Sequence, residues 1–189
     1  MADKIIPTPE ELRQLLHYAP ETGVFTWKER ARDFCGDDRI RNSWNARYAG
    51  QPAFTMSEHQ GYKVSRVLTA SFKAHRVAWA MHYGAWPVEF IDHINGQRDD
   101  NRIVNLRLAT KSENAMNRKR QIHNTSGFKG VSWDSSCRGS KKWNAYIKVD
   151  GIKKNLGRFQ CPKEAAAAYN AAAVARFGEF ALLNEVPAG

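Results

Sequence analysis

The chain has little of what an exported or membrane protein needs. Its 189 residues include three cysteines, Cys35, Cys137 and Cys161, set far apart with no CxxC pair. That pattern excludes a disulfide framework and a Cys-based zinc centre. No stretch approaches the roughly 18 consecutive apolar residues of a membrane span, and the opening MADKIIPTPEELRQ lacks the apolar segment of a secretory signal. The expectation is a soluble cytoplasmic protein with no membrane partner. Acidic side chains are also in short supply, with 19 Asp and Glu against 29 Lys and Arg and a formal charge of +10. Solubility alone would be served better by acids. The excess of cations therefore points to a polyanionic partner.

That charge is unevenly spread. Residues 1–110 carry 15 Lys and Arg against 13 Asp and Glu, a net of +2, and residues 111–189 carry 14 against 6, a net of +8. The C-terminal part is the expected electrostatic footprint. The length suits one mid-sized domain or two small ones. A Ser/Thr/Asn/Gly stretch at 122–127 reads as a linker, giving three segments: an N-terminal helix and strand region with a polar loop (1–59), a central domain (60–121), and a linker with a basic domain (122–189).

Local patterns fill in the elements. Thr8 is a plausible N-cap for a helix whose Leu12, Leu15 and Leu16 share one face. Val24–Trp27 alternates as a strand, whereas residues 29–49 are polar, charged and weakly periodic, and read as a loop or a poorly ordered segment. AGQPAF and GYKVSRVL read as short strands, and AHRVAWAMHYG as a helix closed by Gly84. His75 reads as a core anchor of that helix. Thr110 and Glu113 match a capping box, so a helix begins near Lys111 and puts Asn114 and Asn117 on one face. In the basic part, GFKGVSW is one strand. KWNAYIKV and IKKNLGRF form a hairpin through Asp150-Gly151. CPKEAAAAYNAAAVARFG is a helix with Pro162 in its first turn and Gly178 past its end.

Two constellations carry chemistry. IDHINGQRDDN, residues 91–101, places Asp92 and His93 at the end of a strand, just before an Asn95-Gly96 turn. Asp99 and Asp100 read as solvated turn acids. A carboxylate and an amide oxygen, from Asp92 and Asn114, are hard donors suited to Mg²⁺. A neutral imidazole beside such a metal can take a proton from water, which is what phosphodiester hydrolysis requires. In the second constellation, strand alternation puts Trp143, Ala145, Ile147 and Val149 on one face of the hairpin, and Asn144, Tyr146 and Lys148 on the other. A two-residue turn pairs Lys148 with Lys153 and Tyr146 with Asn155. Like charges directly opposite are unfavourable, and a phosphate between them would relieve the repulsion.

DHINGQRDDNRIVNLRLATKSENAMN, residues 92–117, resembles the ββα-metal motif of the HNH (His-Asn-His) nucleases, in their phage homing-endonuclease branch. Its motif positions are His93, Asn105 and Asn114, the last an Asn where the name has His. The resemblance implies that His93 is the general base and that Asp92 and Asn114 bind Mg²⁺, or another divalent ion such as Mn²⁺. Asn105 would hold the loop by side-chain to backbone hydrogen bonds, with Asn117 outside the metal's immediate ligands. It further implies products with a 5′ phosphate and a 3′ hydroxyl. The extra zinc of four-cysteine HNH enzymes is not expected. Residues 126–184, with SGFKGVSW, KWNAYIKV, LGRF, EAAAAYNAAAVARFG and the closing LLN, resemble the APETALA-type (ethylene-response-factor-like) DNA-binding domain. That resemblance implies DNA contacts at or near Lys129, Trp133, Lys148, Lys153 and Asn155, with Tyr146 on the same ribbon. Arg76 is a further phosphate contact to consider. Lys, Ser or Asn largely stand where that family has Arg, which changes the expected base preference.

The fold class expected is α+β: a ββα-metal nuclease domain followed by a small three-stranded antiparallel sheet and one helix. The expected function is a metal-dependent endonuclease acting on double-stranded DNA, a monomer without an evident protein partner, in the host cytoplasm if phage-encoded. The alternatives are a non-catalytic DNA-binding regulator and an RNA-acting nuclease.

Overall fold

A computed structural model describes residues 6–117, 124–149 and 151–186. The chain divides into two compact units, Met1–Ala109 and Thr110–Gly189. The division falls ahead of the helix that carries Asn114. Residues 122 and 123 of the expected linker lie outside the described residues.

The first unit begins with helix α1, Pro9–Leu15, and its start is fixed by a capping box. The Thr8 hydroxyl accepts from the Glu11 amide (3.1 Å), and the Glu11 carboxylate accepts from the Thr8 amide (2.7 Å). The chain turns extended at Leu16 and becomes strand β1, Leu16–Ala19, which pairs antiparallel with β2, Val24–Trp27. β3, Pro52–Ala53, adds to the other side of β2. Leu12, Leu15 and Leu16 are fully buried, the last from the strand rather than the helix. Truncating one such leucine to alanine costs about 2–5 kcal/mol, because a cavity remains.

A second small sheet comprises β4, Met56–Ser57, β5, Lys63–Val67, and β6, Ala70–Lys73. β6 runs directly into α3, Ala74–Tyr83, which Gly84 closes in the left-handed region at φ 75°. α3 buries Ala74, His75, Val77, Ala78, Ala80 and Met81. Arg13 of α1 donates to the Met81 carbonyl (2.6 and 3.0 Å), satisfying an acceptor left open at the helix end.

Residues 29–49 are not a loop. Arg32–Phe34 is a single 3-10 turn, and Asp38–Tyr48 is helix α2, with the Asp37 carboxylate accepting from the Ile40 amide (2.8 Å). α2 escapes a periodicity search because it buries no residue. Side chains tether it instead. Trp44 lies edge-on to Trp27, the Arg30 guanidinium stacks 3.7 Å from the Trp44 ring, and Asn45 bonds both backbone groups of Arg30.

The second unit opens with α4, Lys111–Met116, whose Thr110–Glu113 capping box forms as the sequence pattern requires. Asn117 caps its end, and the expected continuation over 118–121 lies outside the described residues. β9, Val131–Trp133, β10, Trp143–Val149, and β11, Ile152–Phe159, form one antiparallel sheet in the order β11-β10-β9. Val149 pairs with Ile152, Lys148 with Lys153, and Tyr146 with Asn155, as the hairpin reading requires. Asp150 of its turn lies outside the described residues. Between the Ala145 and Tyr146 rungs the register shifts by one residue, a bulge that increases local twist.

Helix α5, Pro162–Phe177, covers one face of this sheet. Its Ala165, Ala166 and Ala173 are fully buried, which lets the helix approach closely, and Tyr169 and Phe177 are the large buried residues on that face. Gly130, at φ 73°, passes over that ring, and a Cβ there would collide with Tyr169.

Candidate active site

β7, Phe90–His93, and β8, Leu106–Ala109, pair antiparallel with Asp92 opposite Arg107 and His93 opposite Leu106. Directly opposed residues share a face. The Asp92 carboxylate accepts from Arg107 through Nε (3.0 Å) and Nη2 (2.8 Å), both bonds falling on Oδ2. The pair is nearly sealed from water, with side-chain exposures of 13% for Arg107 and 5% for Asp92. A buried pair of this kind holds both members in one geometry, since separating it strands a charge.

The connection from His93 to Leu106 is ordered by its own polar side chains. Gly96, at φ 66°, donates its amide to the His93 carbonyl (2.8 Å). Asn95 Oδ1 accepts from the Gln97 amide (2.8 Å). Asn105 then spans the whole loop. Its Oδ1 accepts from the Asn95 amide (3.0 Å), its Nδ2 donates to the Asp100 carbonyl (2.9 Å), and its own carbonyl accepts from the Ile94 amide (2.9 Å). With Asn105 only 6% exposed, these bonds form away from competing water.

Asp100 is not a solvated turn acid. It accepts from Asn95 Nδ2 (2.7 Å) and from Arg102 through Nε (2.9 Å) and Nη2 (2.7 Å). Hydrogen bonding from Arg102 chiefly holds its carboxyl down at about 2. Asp99 is exposed, as expected of a turn acid.

The N-terminal sheet braces this loop from outside. The Tyr18 hydroxyl donates to the Asn101 carbonyl (2.8 Å), and the Ile103 amide donates to the Pro20 carbonyl (3.0 Å). Gly23 sits so close that a Cβ would come 2.5 Å from the Arg102 nitrogen and 2.6 Å from the Asn101 carbonyl carbon.

His93 is 4% exposed. Its ring lies edge-on to His75, centroids 5.0 Å apart at 82°, and 5.9 Å from Tyr62. Burial lowers its pKa below the ordinary histidine value, with Asp92, Asn101 and Asp100 pulling the other way and Arg98 adding to the fall. The net direction favours a neutral imidazole, the form that accepts a proton. Tyr62 carries a cation near its ring on two counts, Lys73 at 4.3 Å and Arg98 at 5.0 Å. Asn101, Tyr62 and His75 were not singled out for this site from the sequence. Of the three, only Asn101 stands inside the polar run 91–101 and could have been found there.

Arg76 is half-buried. Its guanidinium donates to the carbonyls of Pro87 (2.8 Å) and Glu89 (3.3 Å), tying α3 to the segment that leads into β7. Asn114 stands in the second unit, half-buried in α4, with its amide bonded to the Thr110 carbonyl (3.0 Å). Asp92 and Asn114 each carry a hard oxygen donor of the kind Mg²⁺ takes, and they stand in different units. Among the described residues no cluster of three or more His, Cys, Asp or Glu gathers into a closed cage.

The second unit divides its expected DNA contacts. Tyr146, Lys148, Lys153 and Asn155 share the sheet face away from α5, and Lys153 Nζ lies 3.8 Å from the Tyr146 ring centre. That contact draws Lys153 toward an aromatic face rather than toward Lys148. Trp133 pairs with Trp143 and so belongs to the opposite face, half-exposed at its rim (rings 4.9 Å apart). Lys129 turns inward, its Nζ bonded to the Met116 carbonyl, and burial lowers its pKa to about 8. Arg158, opposite Asn144 on the polar face and paired with Asp134 (2.6 Å), is a residue the sequence reading passed over. Its signal was the strand alternation, which the bulge displaces.

Comparison with known proteins places this segment within a known family model. Residues 72–116 match the family model described as HNH endonuclease, a span that holds His75, Asp92, His93, Asn105 and Asn114. Protein 3.8 of Escherichia phage T7 is 34% identical over 85 residues, 44% of this chain and 68% of that protein. An uncharacterized HNH endonuclease, L560, of Acanthamoeba polyphaga mimivirus is 30% identical over 128 residues, 67% of this chain and 64% of that protein. No solved structure gives a significant match. Among the described residues no helix is long and apolar enough to cross a membrane. The chain therefore belongs to the same family as protein 3.8 of phage T7, and it carries an HNH endonuclease domain.

Proposed function

We propose that the protein is a metal-dependent endonuclease that hydrolyses phosphodiester bonds in double-stranded DNA, with the second unit docking the DNA. One observation carries the reading most: a buried imidazole, His93, lowered in pKa by burial, ends a strand beside Asp92 and is followed by a loop pinned by Asn105. His93 takes the proton of the attacking water. Asn105 keeps the loop, and with it the His93 carbonyl and ring, in one arrangement. Asp92 and Asn114 would hold a Mg²⁺ or Mn²⁺ ion, which when bound polarises the phosphate and stabilises the leaving 3′ oxygen. The ββα-metal arrangement of β7, β8 and α4 is part of this proposal.

In the second unit, we assign the DNA-facing surface to Tyr146, Lys148, Lys153 and Asn155. A two-stranded ribbon fits the major groove, and the net +8 of residues 111–189 supplies the attraction. An APETALA-type domain is the form this unit resembles. Lys129 and Trp133 would act from behind and beside that surface. The protein would work as a monomer, and a mobile homing gene is one setting for it.

A second reading, a DNA-binding regulator without catalysis, is favoured by one contact: Arg107 already occupies Asp92 Oδ2. The discriminating experiment is incubation of supercoiled plasmid and phage genomic DNA with Mg²⁺, Mn²⁺ or EDTA, followed by end analysis. Cutting in metal alone, with 5′ phosphate and 3′ hydroxyl ends, supports the nuclease. Tight binding with no cutting in any metal supports the regulator.

A further inference from the structure

As a core anchor, His75 is a poor one. It is 5% exposed, in the first turn of α3, and its Nδ1 is enclosed without a hydrogen-bond partner among the described residues. A phenylalanine would fill the same space and strand no polar atom. Its neighbours are the other half of the observation. The His75 ring stands edge-on to His93 (5.0 Å, 82°), and Tyr62 lies 5.0 Å from His75 and 5.9 Å from His93, so three rings meet in one cluster. Burial, then His93, Lys73 and Arg76, hold the His75 pKa at about 3. It therefore sits against His93 as a neutral ring and adds no charge there.

We propose that His75 is a positioning residue for the reaction, fixing the plane of the His93 imidazole through the edge-on contact of the two rings. This rests on His93 being the general base. A local rule broken at a buried site, here an unpaired ring nitrogen kept in a core, is the usual mark of a functional demand. Two imidazoles at right angles interact through their ring dipoles as well as their shape, which a hydrocarbon ring in place of His75 does not reproduce.

The test compares wild type with His75→Phe, which keeps the ring and removes both nitrogens, and with His75→Gln, which restores a planar polar group. Thermal melts, single-turnover cleavage across DNA concentrations and ¹⁵N-histidine NMR are read on each. The expected result for His75→Phe is a melting temperature equal to or above wild type. Its cleavage rate should fall at least tenfold, with little change in the DNA concentration giving half-maximal rate. His75→Gln should recover part of that rate, and the His93 ring resonances should move in His75→Phe. A folded His75→Phe that cuts at the wild-type rate overturns the proposal. So do unmoved His93 resonances, a limb that reads the coupling even if Phe slows folding or wild type does not cut. Failure of the underlying nuclease reading is separately visible, as wild-type protein that cuts no DNA or His93→Ala that still cuts.

Discussion

The side chain of Asn105 accepts a hydrogen bond from the backbone amide of Asn95, ten residues earlier, at 3.0 Å. With its second bond to the Asp100 carbonyl, one amide closes the loop that begins at His93. Local polar groups, rather than hydrophobic packing, therefore set the geometry at this end of β7.

Replacing Asn105 by alanine removes both bonds and leaves the Asn95 amide and Asp100 carbonyl without that partner. The expected loss of stability is about 1–3 kcal/mol. If the loop sets the position of His93, cleavage falls about 100-fold, the scale of a 1 Å misplacement, while DNA affinity stays. Melting temperature, filter binding and single-turnover rates check this, and an unchanged rate would remove Asn105 from the positioning role.

Asp100 supplies a pH signature. Its folded pKa, about 2, lies below the ordinary 3.8. A depressed carboxylate stabilises the fold above the unfolded value, and that stability is lost as pH falls from 3.8 toward 2. Asp100→Asn should lower stability at neutral pH and flatten the acid limb in that window. Acid titrations followed by circular dichroism check both, and parallel acid limbs would count against the Asp100–Arg102 pair.

Arg107→Met separates the two demands on Asp92. Leaving a buried carboxylate unpaired costs about 3–5 kcal/mol. If Asp92 also binds a divalent ion, Mg²⁺ should restore part of the lost melting temperature, and more in this variant than in wild type. Melts with and without Mg²⁺ read it directly. Equal, null responses to Mg²⁺ would deny Asp92 its metal role.

Lys148 and Lys153 face each other on the exposed ribbon. If each neutralises a phosphate, the double alanine variant should weaken DNA binding and reduce the slope of log K against log salt by about 2. Its fold should hold or gain slightly, because two like charges are gone. An unaltered slope would move the DNA-docking surface elsewhere.

Much of this molecule was legible in its sequence, for identifiable reasons. The two capping boxes, Thr8–Glu11 and Thr110–Glu113, formed because a cap depends on residues three apart and on little else. The Lys148–Lys153 register followed from a two-residue turn. Helix α2 was missed because it buries nothing, so no periodicity marks it. The tasks of Arg76 and Lys129 were missed because both bond backbone carbonyls remote or separated in sequence, which side-chain type does not reveal. Asp100 looked like one more turn acid until Arg102 and Asn95 closed on it. The ring cluster at His93 joins residues 62, 75 and 93, and only the packing of the residue before β5 with α3 and β7 brings them together.

Single-turnover cleavage of supercoiled plasmid in Mg²⁺ by wild type and His93→Ala, with DNA binding measured on the same preparations, goes straight to the role of His93. Cutting by wild type, with none by a folded His93→Ala that still binds DNA, is the outcome expected of a general base at this position. His93→Ala cutting at the wild-type rate would contradict it.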